Sequence, residues 1–510
     1  MIRLWFCVVV GIALWFTPPP EGLNVQAWHV FGVFVTTILA FLVRPLPMGP
    51  CVLLALLVLA TTGTLSDDLS QRIPLIRHVP GASVITTHGP LSSDELQNAL
   101  DSQFASSFKN SLAGFADTTV WLVVAAFLIS GGVIESGLGR RLALVLITRL
   151  GRTTLGLGYA ITGAEVLLAP FIPSNTARGG GLMAPIVLSL SHALGSDPAA
   201  SPRRAGQFLA LCGAHANLIA SAMFLTGMAA NPLVSKAASE ILQVEFGWSR
   251  WFIGALVPGL LSALLIPGLL YCIVRPEITD ASEARREARG QLAAMGRWTP
   301  RQIAMAIVLL IMLLLWATAS LQKQLLTVSL PPPLVALMGV AALVTIGVLP
   351  WRSVIGNAAA WDALIWLGGL VTMADALKAS GFVEWFADRV HTQVTGFAPL
   401  AAALMLALIY FYSMYAFSML TGHILAFVGV FMTVASSAGS PPLLMVALLA
   451  YFSNLCGCTT HYSSGPIIIY FGLGYVTVAR WFAIGFIVSL AHLAIWLGVG
   501  LPYWKLLGWW

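Results

Sequence analysis

Charged side chains are scarce in this sequence. Only 9% of its 510 residues are Asp, Glu, Lys or Arg, whereas 58% are hydrophobic. A soluble protein carries about 25% charged residues. A chain this apolar cannot hide its hydrophobic side chains in a water-soluble core, because much of the surface always remains to be covered. The shortage of charge therefore excludes an ordinary soluble domain and predicts a protein embedded in lipid.

Cysteine is also sparse, and its spacing indicates neither a metal centre nor a redox centre. There are six Cys residues, and Cys456 and Cys458 form C-G-C rather than the two-residue spacing of zinc or redox motifs. The sequence has no phosphate-binding loop, Ser-His-Asp order or metal-ligand cluster. Its net charge of +6 lies in short connections, without the basic stripe of a nucleic-acid-binding protein. We therefore expect no enzyme activity, no cofactor and no nucleic-acid partner.

Long apolar runs make up most of the sequence, and a helix that crosses the hydrocarbon needs about 20 such residues. About eleven runs fit this requirement, allowing for short ends. These are Leu4–Phe16, Trp28–Val43, Met48–Leu65, Thr119–Glu135, Phe208–Phe224, Trp251–Val274, Ile303–Leu321, Leu334–Val348, Ala363–Leu377, Leu443–Leu455 and Phe482–Leu501. Two more runs, Tyr159–Leu194 and Leu400–Val434, are interrupted midway by small and polar residues, which predicts re-entrant hairpins. The predicted fold is an all-α polytopic membrane protein.

The distribution of Lys and Arg favours one orientation. If the N-terminus is cytosolic, the cytosolic loops collect the larger share of these residues, which places the C-terminus in the periplasm. The first apolar run ends in three prolines, Pro18–Pro20, rather than a cleavage site, so residues 1–26 are interpreted as a retained span in a bacterial inner membrane. The polar stretch 66–114 is predicted to be an outer-face excursion, and 275–301 a basic cytosolic linker. Both are interpreted as solvated connectors.

An internal repeat divides the chain. Four matches recur in the same order: Gly131-Gly132 with Gly368-Gly369, Ser136-Gly137 with Ser380-Gly381, Ser174 with Ser418, and Asn217-Leu218 with Asn454-Leu455. They define a first repeat over residues 27–274 and a second over 302–510. Each copy holds an odd number of spans, so the second is predicted to lie upside down, as in many secondary transporters.

The first hairpin has a polar tip. Its residues Ser174, Asn175 and Thr176 offer hydroxyl and amide groups where a new helical arm begins, and free N–H groups at a helix start suit a carboxylate. Arg178 adds a positive charge, which at membrane depth needs a partner or a watery cavity. An ordinary N-cap, with Arg178 reaching the cytosolic surface, is the alternative.

Three further polar breaks interrupt apolar runs. They supply hydroxyl, amide and imidazole groups: Thr226, Asn231, Ser418, Thr421, His423, Ser453, Asn454, Thr459, Ser463 and Ser464. Simple turns at span ends are the alternative interpretation. Carboxylates are scattered and form no acid–base pair, although a proton relay through Glu165 remains open.

The SNTARGGG hairpin and the SNLCGCTTHYSSGP run resemble signatures of the divalent anion:sodium symporter family. The resemblance is strongest to its bacterial citrate/succinate and tartrate/succinate exchangers and plastid 2-oxoglutarate/malate translocators. It implies an eleven-span, elevator-type homodimer. One anion site per protomer would lie among the two hairpin tips and two broken spans. The implied substrates are small carboxylates such as succinate, malate, 2-oxoglutarate, citrate or tartrate.

The second tip departs from the family pattern. Sodium-coupled members carry Ser-Asn-Thr at both tips, but here the second tip reads Ser418-Met419-Leu420. We therefore hypothesise that Arg178 and His423 replace bound sodium and that the protein is an obligate anion exchanger. A sodium-coupled symporter of the same fold, with Ser174 and Asn175 at the metal, is the first alternative. An integral-membrane enzyme acting on lipid-linked substrates is the alternative from another class.

Overall fold

The computed structural model describes residues 2–66, 85–86, 89–90, 93–394 and 398–510. Within these ranges the regular secondary structure is helical apart from one antiparallel pair of two-residue strands, β1 (Ile85–Thr86) and β2 (Gly89–Pro90). The α-helices are α1 (Ile2–Phe16), α2 (Val25–Val43), α3 (Met48–Thr61), α4 (Ser93–Ser111), α5 (Thr118–Ser136), α6 (Leu138–Leu150), α7 (Thr154–Leu168), α8 (Ala184–Ala193), α9 (Gly206–Met223), α10 (Asn231–Ile241), α11 (Trp248–Val274), α12 (Ser282–Ala294), α13 (Pro300–Ala317), α14 (Ala319–Leu326), α15 (Pro332–Thr345), α16 (Trp351–Ile355), α17 (Ala358–Ala379), α18 (Phe382–Val394), α19 (Pro399–Ser413), α20 (Leu420–Ser437), α21 (Pro442–Leu455), α22 (Gly465–Gly472), α23 (Val478–Ile495) and α24 (Leu501–Leu506). This confirms the all-α class.

Nine segments of the described ranges are long and apolar enough to cross a membrane. They are Val25–Val43, Thr118–Ser136, Trp248–Val274, Pro300–Ala317, Ala358–Ala379, Pro399–Ala416, Leu420–Ser437, Pro442–Thr459 and Val478–Leu506. The predicted spans in α1, α3 and α15 are shorter apolar helices, of 15, 14 and 14 residues. Both arms of the second predicted hairpin reach spanning length. Whether either hairpin is re-entrant stays a prediction.

Helix α9 fills the predicted span Phe208–Phe224 but is not among these nine segments. All 18 of its residues are buried, including Gln207, His215 and Asn217. A helix surrounded by protein does not contact lipid, so it tolerates polar side chains that find partners inside the protein. Its low apolarity is therefore explained by its central position.

The chain forms two compact units. The first comprises Met1–Val124 and Ala358–Gln393. In it, α3 packs against α2, α4 and α17, and α1 packs against α2. Helix α4 is fastened to α3 by Ser107, whose Oγ donates to the Leu59 carbonyl (3.1 Å) and accepts from the Leu65 N–H (3.2 Å). Residues 93–111 are therefore packed rather than freely solvated. Residues 67–84, 87–88 and 91–92 of the predicted excursion lie outside the described residues.

The second unit comprises Ala125–Asn357 and Val394–Trp510, and holds both predicted hairpins. Helix α9 lies at its centre, against α7, α8, α11, α21 and α22. The predicted linker 275–301 also packs against the rest of this unit, because its helix α12 places the buried Ala284 and Ala288 against α6 and α8. The Arg141 guanidinium donates to three linker carbonyls at 3.0–3.1 Å, those of Met295, Gly296 and Arg297.

The two halves of the chain repeat the same order of elements. Helix α5 is followed by Gly137 and α17 by Ser380 and Gly381, and both glycines have a positive φ, +72° and +81°. A 13-residue helix follows in each half, α6 or α18, and then a 15-residue helix, α7 or α19. A positive φ is costly for residues with a side chain, which explains the recurring Ser-Gly pair. The inverted orientation of the second copy remains a prediction.

Candidate functional site

The first tip (residues 169–176) joins α7 to a π-helix, Thr176–Met183, that leads into α8. Pro173 and the glycines after Arg178 disfavour a regular α-helix here. Ser174 caps the new helix, because its Oγ accepts from the Ala177 N–H (3.1 Å). Ser174 and Asn175 are half-buried, and Thr176 is exposed. The tip thus presents hydroxyl and amide groups at the start of a helix, as predicted.

Arg178 has a charged partner inside the protein and does not reach the cytosolic surface. Its side chain is fully buried, and its Nε donates to Glu165 Oε2 at 2.7 Å across the hairpin. The Nη1 and Nη2 groups donate to the carbonyl oxygens of Ile172 (2.7 Å), Gly227 (2.9 Å) and Asn217 (3.4 Å) and to Ser221 Oγ (2.8 Å). All five guanidinium donors are used. In this structure Arg178 fastens the tip to α9 and to the following break, and its charge is balanced by Glu165.

The first break (residues 224–230) separates α9 from α10. Thr226 Oγ1 donates to the Pro170 carbonyl in the first tip (2.9 Å) and accepts from Trp248 Nε1 (3.2 Å). Asn231 Nδ2 donates to the carbonyls of Ser221 (2.9 Å), in the last turn of α9, and Phe224 (3.0 Å), directly after it. Both predicted residues are buried and satisfied within the protein. Their side chains stabilise the non-helical break and leave no donor group free to bind a ligand.

The second tip (residues 414–419) joins α19 to α20. Ser418 in the tip and Thr421 in the first turn of α20 are half-buried, whereas His423 in the same helix is buried. His423 Nε2 is 2.7 Å from Ser413 Oγ, and the ring lies 4.3 Å from the Tyr410 ring by centroid distance. His423 therefore joins the two arms of the hairpin inside an aromatic cluster.

The second break (residues 456–464) separates α21 from α22. Two hydroxyl groups form hydrogen bonds within the break: Thr459 Oγ1 donates to the Cys456 carbonyl (2.8 Å), and Ser463 Oγ donates to the Gly457 carbonyl (2.6 Å). Ser453 Oγ, on α21, donates to Leu449 O (2.6 Å) and lies 2.7 Å from Tyr410 Oη. Asn454 Oδ1, Thr460 Oγ1 and Ser464 Oγ are buried without a hydrogen-bond partner among the described residues. Buried polar atoms are normally satisfied, so these three suggest a ligand, an ion or water.

Both tips meet at the second break. A methyl group at Gly465 would collide with Thr176 Oγ1, so the first tip lies against the start of α22. The N–H of Leu420, directly after the second tip, donates to the Ser463 carbonyl at 2.8 Å. The beginnings of three helices, the π-helix, α20 and α22, therefore lie around one polar segment. First-turn N–H groups and hydroxyls give this place the chemistry of an anion site.

Three residues of this region were not predicted as site residues: Glu165, Asn217 and Tyr470. Glu165 and Tyr470 are fully buried, and Asn217 Nδ2 donates to Glu165 Oε2 (3.0 Å) and to the Asn175 carbonyl (3.1 Å). The sequence did contain a signal for Glu165. This residue and Arg178 form a charged pair inside one apolar hairpin, and a buried Arg requires a counter-charge.

Known proteins resemble this chain along its whole length. YflS of Bacillus subtilis strain 168, provisionally assigned as a malate transporter, is 39% identical and covers 100% of this chain and 97% of that protein. The chloroplastic dicarboxylate transporter 1 of Spinacia oleracea is 34% identical, over 99% of this chain and 81% of that one. The citrate/succinate antiporter of Escherichia coli K12 is 33% identical, over 97% and 96%.

Solved structures share the fold at low identity. MtrF of Neisseria gonorrhoeae, described with antimetabolite efflux pumps, has a TM-score of 0.54 and 14% identity, over 92% of this chain and 97% of that chain. The YdaH transporter of Alcanivorax borkumensis has a TM-score of 0.52 and 17% identity, over 89% and 99%. The family described as the sodium:sulfate symporter transmembrane region matches residues 1–510. The chain belongs to this divalent anion:sodium symporter family of multi-pass membrane transporters.

Proposed function

We propose that the protein is a secondary active transporter that binds one small di- or tricarboxylate where the two tips meet the second break. The observation that carries this proposal is the set of unpartnered buried polar atoms at that junction, above all Thr460 Oγ1 and Ser464 Oγ. A hydroxyl can donate to a carboxylate oxygen, and hydrogen bonds to a charged group are the stronger kind. The names of the relatives, which specify malate, dicarboxylate and citrate/succinate, agree with this ligand class.

With Glu165 ionised, the donors that face the anion are neutral. The charge of Arg178 is balanced by Glu165, and its N–H groups are all bonded within the protein. The attraction therefore comes from the partial positive charge at the starts of the π-helix, α20 and α22, together with the hydroxyls. Arg178 contributes by fixing the first tip. We propose this positioning role in place of the one in which the charge of Arg178 faces the anion.

We propose exchange rather than sodium symport. The second tip, Ser418-Met419-Leu420, lacks the amide that sodium-coupled relatives place there, and one relative is named an antiporter. One observation favours the sodium-coupled alternative. Asn454 Oδ1 accepts but cannot donate, so a carboxylate cannot satisfy it, whereas a cation or water can.

Uptake into proteoliposomes distinguishes anion exchange from sodium symport. We expect labelled succinate or 2-oxoglutarate to enter only vesicles preloaded with unlabelled dicarboxylate, with no response to an inward sodium gradient. Uptake into empty vesicles driven by sodium would establish the symporter instead. Absence of carboxylate transport under both conditions would reject the carboxylate assignment itself.

The preferred anion can be ranked by thermal unfolding in detergent. A ligand that binds only the native state raises its apparent stability by RT ln(1 + [L]/Kd), which is about 2.7 kcal/mol at one hundred times Kd. Succinate, malate, 2-oxoglutarate, citrate and tartrate are the acids to compare at equal concentration and pH. We expect the transported acids to give the largest shifts, and a monocarboxylate such as acetate to give none.

We further propose a homodimer of elevator type in a bacterial inner membrane, with a cytosolic N-terminus and a periplasmic C-terminus. The inward bias of Lys and Arg supports this orientation. Introduced single cysteines near either terminus, labelled from one side of intact spheroplasts with a membrane-impermeant maleimide, test it. Labelling of the N-terminal position from outside would reverse it, and the mass of the detergent-purified protein tests the dimer.

A further inference from the structure

A buried carboxylate lies behind the first tip. Glu165, near the end of α7, accepts from Arg178 Nε (2.7 Å) and Asn217 Nδ2 (3.0 Å), and both bonds go to the same oxygen, Oε2. Its other oxygen, Oε1, has no hydrogen-bond partner among the described residues, although the side chain is fully buried. The proposed anion site does not use this oxygen. An ionisable group at membrane depth with a free acceptor atom is a candidate for a function of its own.

Besides Arg178, the amide of Asn217 connects this carboxylate to the tip. Asn217 Nδ2 donates both to Glu165 Oε2 and to the main-chain carbonyl of Asn175, the latter at 3.1 Å. Asn175 stands between the two other residues of the tip motif, Ser174 and Thr176. A ligand that shifts the tip must therefore alter the hydrogen bond that Asn217 makes to Glu165.

The ionisable surroundings of Glu165 are few. Arg178 interacts with it directly, and Tyr470 on α22 has a buried hydroxyl that interacts with both charges and lacks a hydrogen-bond partner in the described ranges. Cys212 on α9 interacts with Tyr470. Helices α6 and α11 also pack against α7, but in the described part of the chain they add no ionisable group to the interactions of Glu165.

The charge balance links protonation to anion binding. With Glu165 ionised, the pair with Arg178 is neutral and gives an incoming dianion no net charge to bind. A proton on Oε1 leaves the Arg178 charge uncompensated close to the tip, and at low dielectric such a charge strongly favours an anion. The coupling is reciprocal, so a bound anion favours the protonated carboxyl to the same extent.

We infer that Glu165 is a proton-binding site, and that a proton is taken up from water at its Oε1 when a carboxylate anion binds at the first tip. The inference rests on the proposed function for the nature of the anion. Each transported anion is then accompanied by one proton bound to Glu165. No other bond is formed or broken in this step.

Homo-exchange of labelled succinate, measured at equal pH on both membrane faces from roughly pH 7 to 9, tests the inference. Ordinary carboxyl groups are ionised throughout this window, so the substrate charge is nearly constant. We expect the apparent KM of the wild type to rise with pH, by at most about tenfold per unit for one linked proton. Glu165→Gln, which mimics the protonated form, is expected to keep a low KM that does not change with pH.

Glu135→Gln is the matched control, because Glu135 is an exposed carboxylate of the same unit, bonded to Ser353 Oγ. It should retain the wild-type pH profile. A pH-independent wild type, or a Glu165→Gln variant with the wild-type slope, would overturn the inference.

A second measurement does not depend on the variant folding. Succinate adjusted to the same pH is added to wild-type protein in weakly buffered detergent solution containing a pH indicator, and uptake of up to one proton per bound anion is expected. Binding without proton uptake overturns the inference even if exchange is intact. Absence of any dicarboxylate exchange at every pH would reject the proposed function instead, so the two failures are distinguishable.

Discussion

Asn454 on α21 donates its amide Nδ2–H to Oδ1 of Asn231, the first residue of α10, at 2.9 Å. The two residues come from opposite halves of the sequence and are both fully buried. Asn231 uses its own Nδ2 to close the end of α9. One side-chain bond thus connects the residue that follows the first break to the helix that leads into the second.

Asn454→Ala should destabilise the protein. It leaves Asn231 Oδ1 buried without a donor, which costs about 1–3 kcal/mol. Thermal unfolding in detergent measures the loss, and transport should fall with it. Thr345→Ala is the control, because Thr345 Oγ1 is exposed and bonds only to the Ala341 carbonyl of its own helix. It should change stability by no more than about 0.5 kcal/mol. Equal losses in both variants would refute the importance of the Asn pair.

Two neighbouring serines should respond differently to removal of the hydroxyl. Ser464→Ala deletes an Oγ with no protein partner in the described chain, so stability should be kept while KM for the carboxylate rises roughly tenfold to a hundredfold, the range of a hydrogen bond to a charged group. Ser463→Ala deletes the bond to Gly457 and should lower stability by about 0.5–1.5 kcal/mol. An unchanged KM in Ser464→Ala would remove this hydroxyl from the anion site.

Gly465→Ala should separate the first tip from α22. The added methyl collides with Thr176 Oγ1, so we expect the thermal shift caused by carboxylate to be lost. Adding Thr176→Ala removes Oγ1 and Cγ2, the two atoms nearest the new methyl group, and should restore part of the shift. Gly472→Ala, at the other end of α22, has no atom within 4 Å of the new methyl and should behave as the wild type. Failure of the second substitution to rescue would argue against this contact.

Arg141→Lys should loosen the linker. A lysine ammonium cannot reproduce the planar fork that binds the carbonyls of Met295, Gly296 and Arg297 together. We expect faster amide hydrogen exchange over residues 289–301, with little change elsewhere. Arg140→Lys is the control, since Arg140 is exposed and donates to the Gln291 side chain. Equal exchange in the two variants would contradict a specific role for Arg141.

The broken helices were predictable from the sequence because their causes are local. Proline, glycine and clusters of hydroxyl residues stop a helix wherever they occur, so both breaks and both tips lie where the sequence indicates. The repeated Ser-Gly pair, which marked the internal repeat in the sequence, also has a local cause, because both glycines adopt a positive φ. These features depend only on neighbouring residues.

The partners of the polar side chains were not predictable in the same way. The matched residues Asn217 and Asn454 mark the repeat, yet Asn217 bonds Glu165 whereas Asn454 bonds Asn231. Arg178 needed a counter-charge, but Glu165 lies 13 residues earlier, on the other arm of a bent hairpin. No helical spacing relates positions across such a bend. Tertiary packing alone decides which group an isolated polar side chain meets.

The complete burial of α9 has a consequence for biogenesis. A nascent segment leaves the translocon for lipid by itself only when its apolar residues outweigh its polar ones. Helix α9 carries Gln207, His215, Asn217 and Ser221 and is surrounded by protein on every side once folded. We therefore expect it to stay beside the translocon until α11, against which it packs, has been synthesised. Integration of this helix is thus coupled to the synthesis of a segment that follows it in the chain.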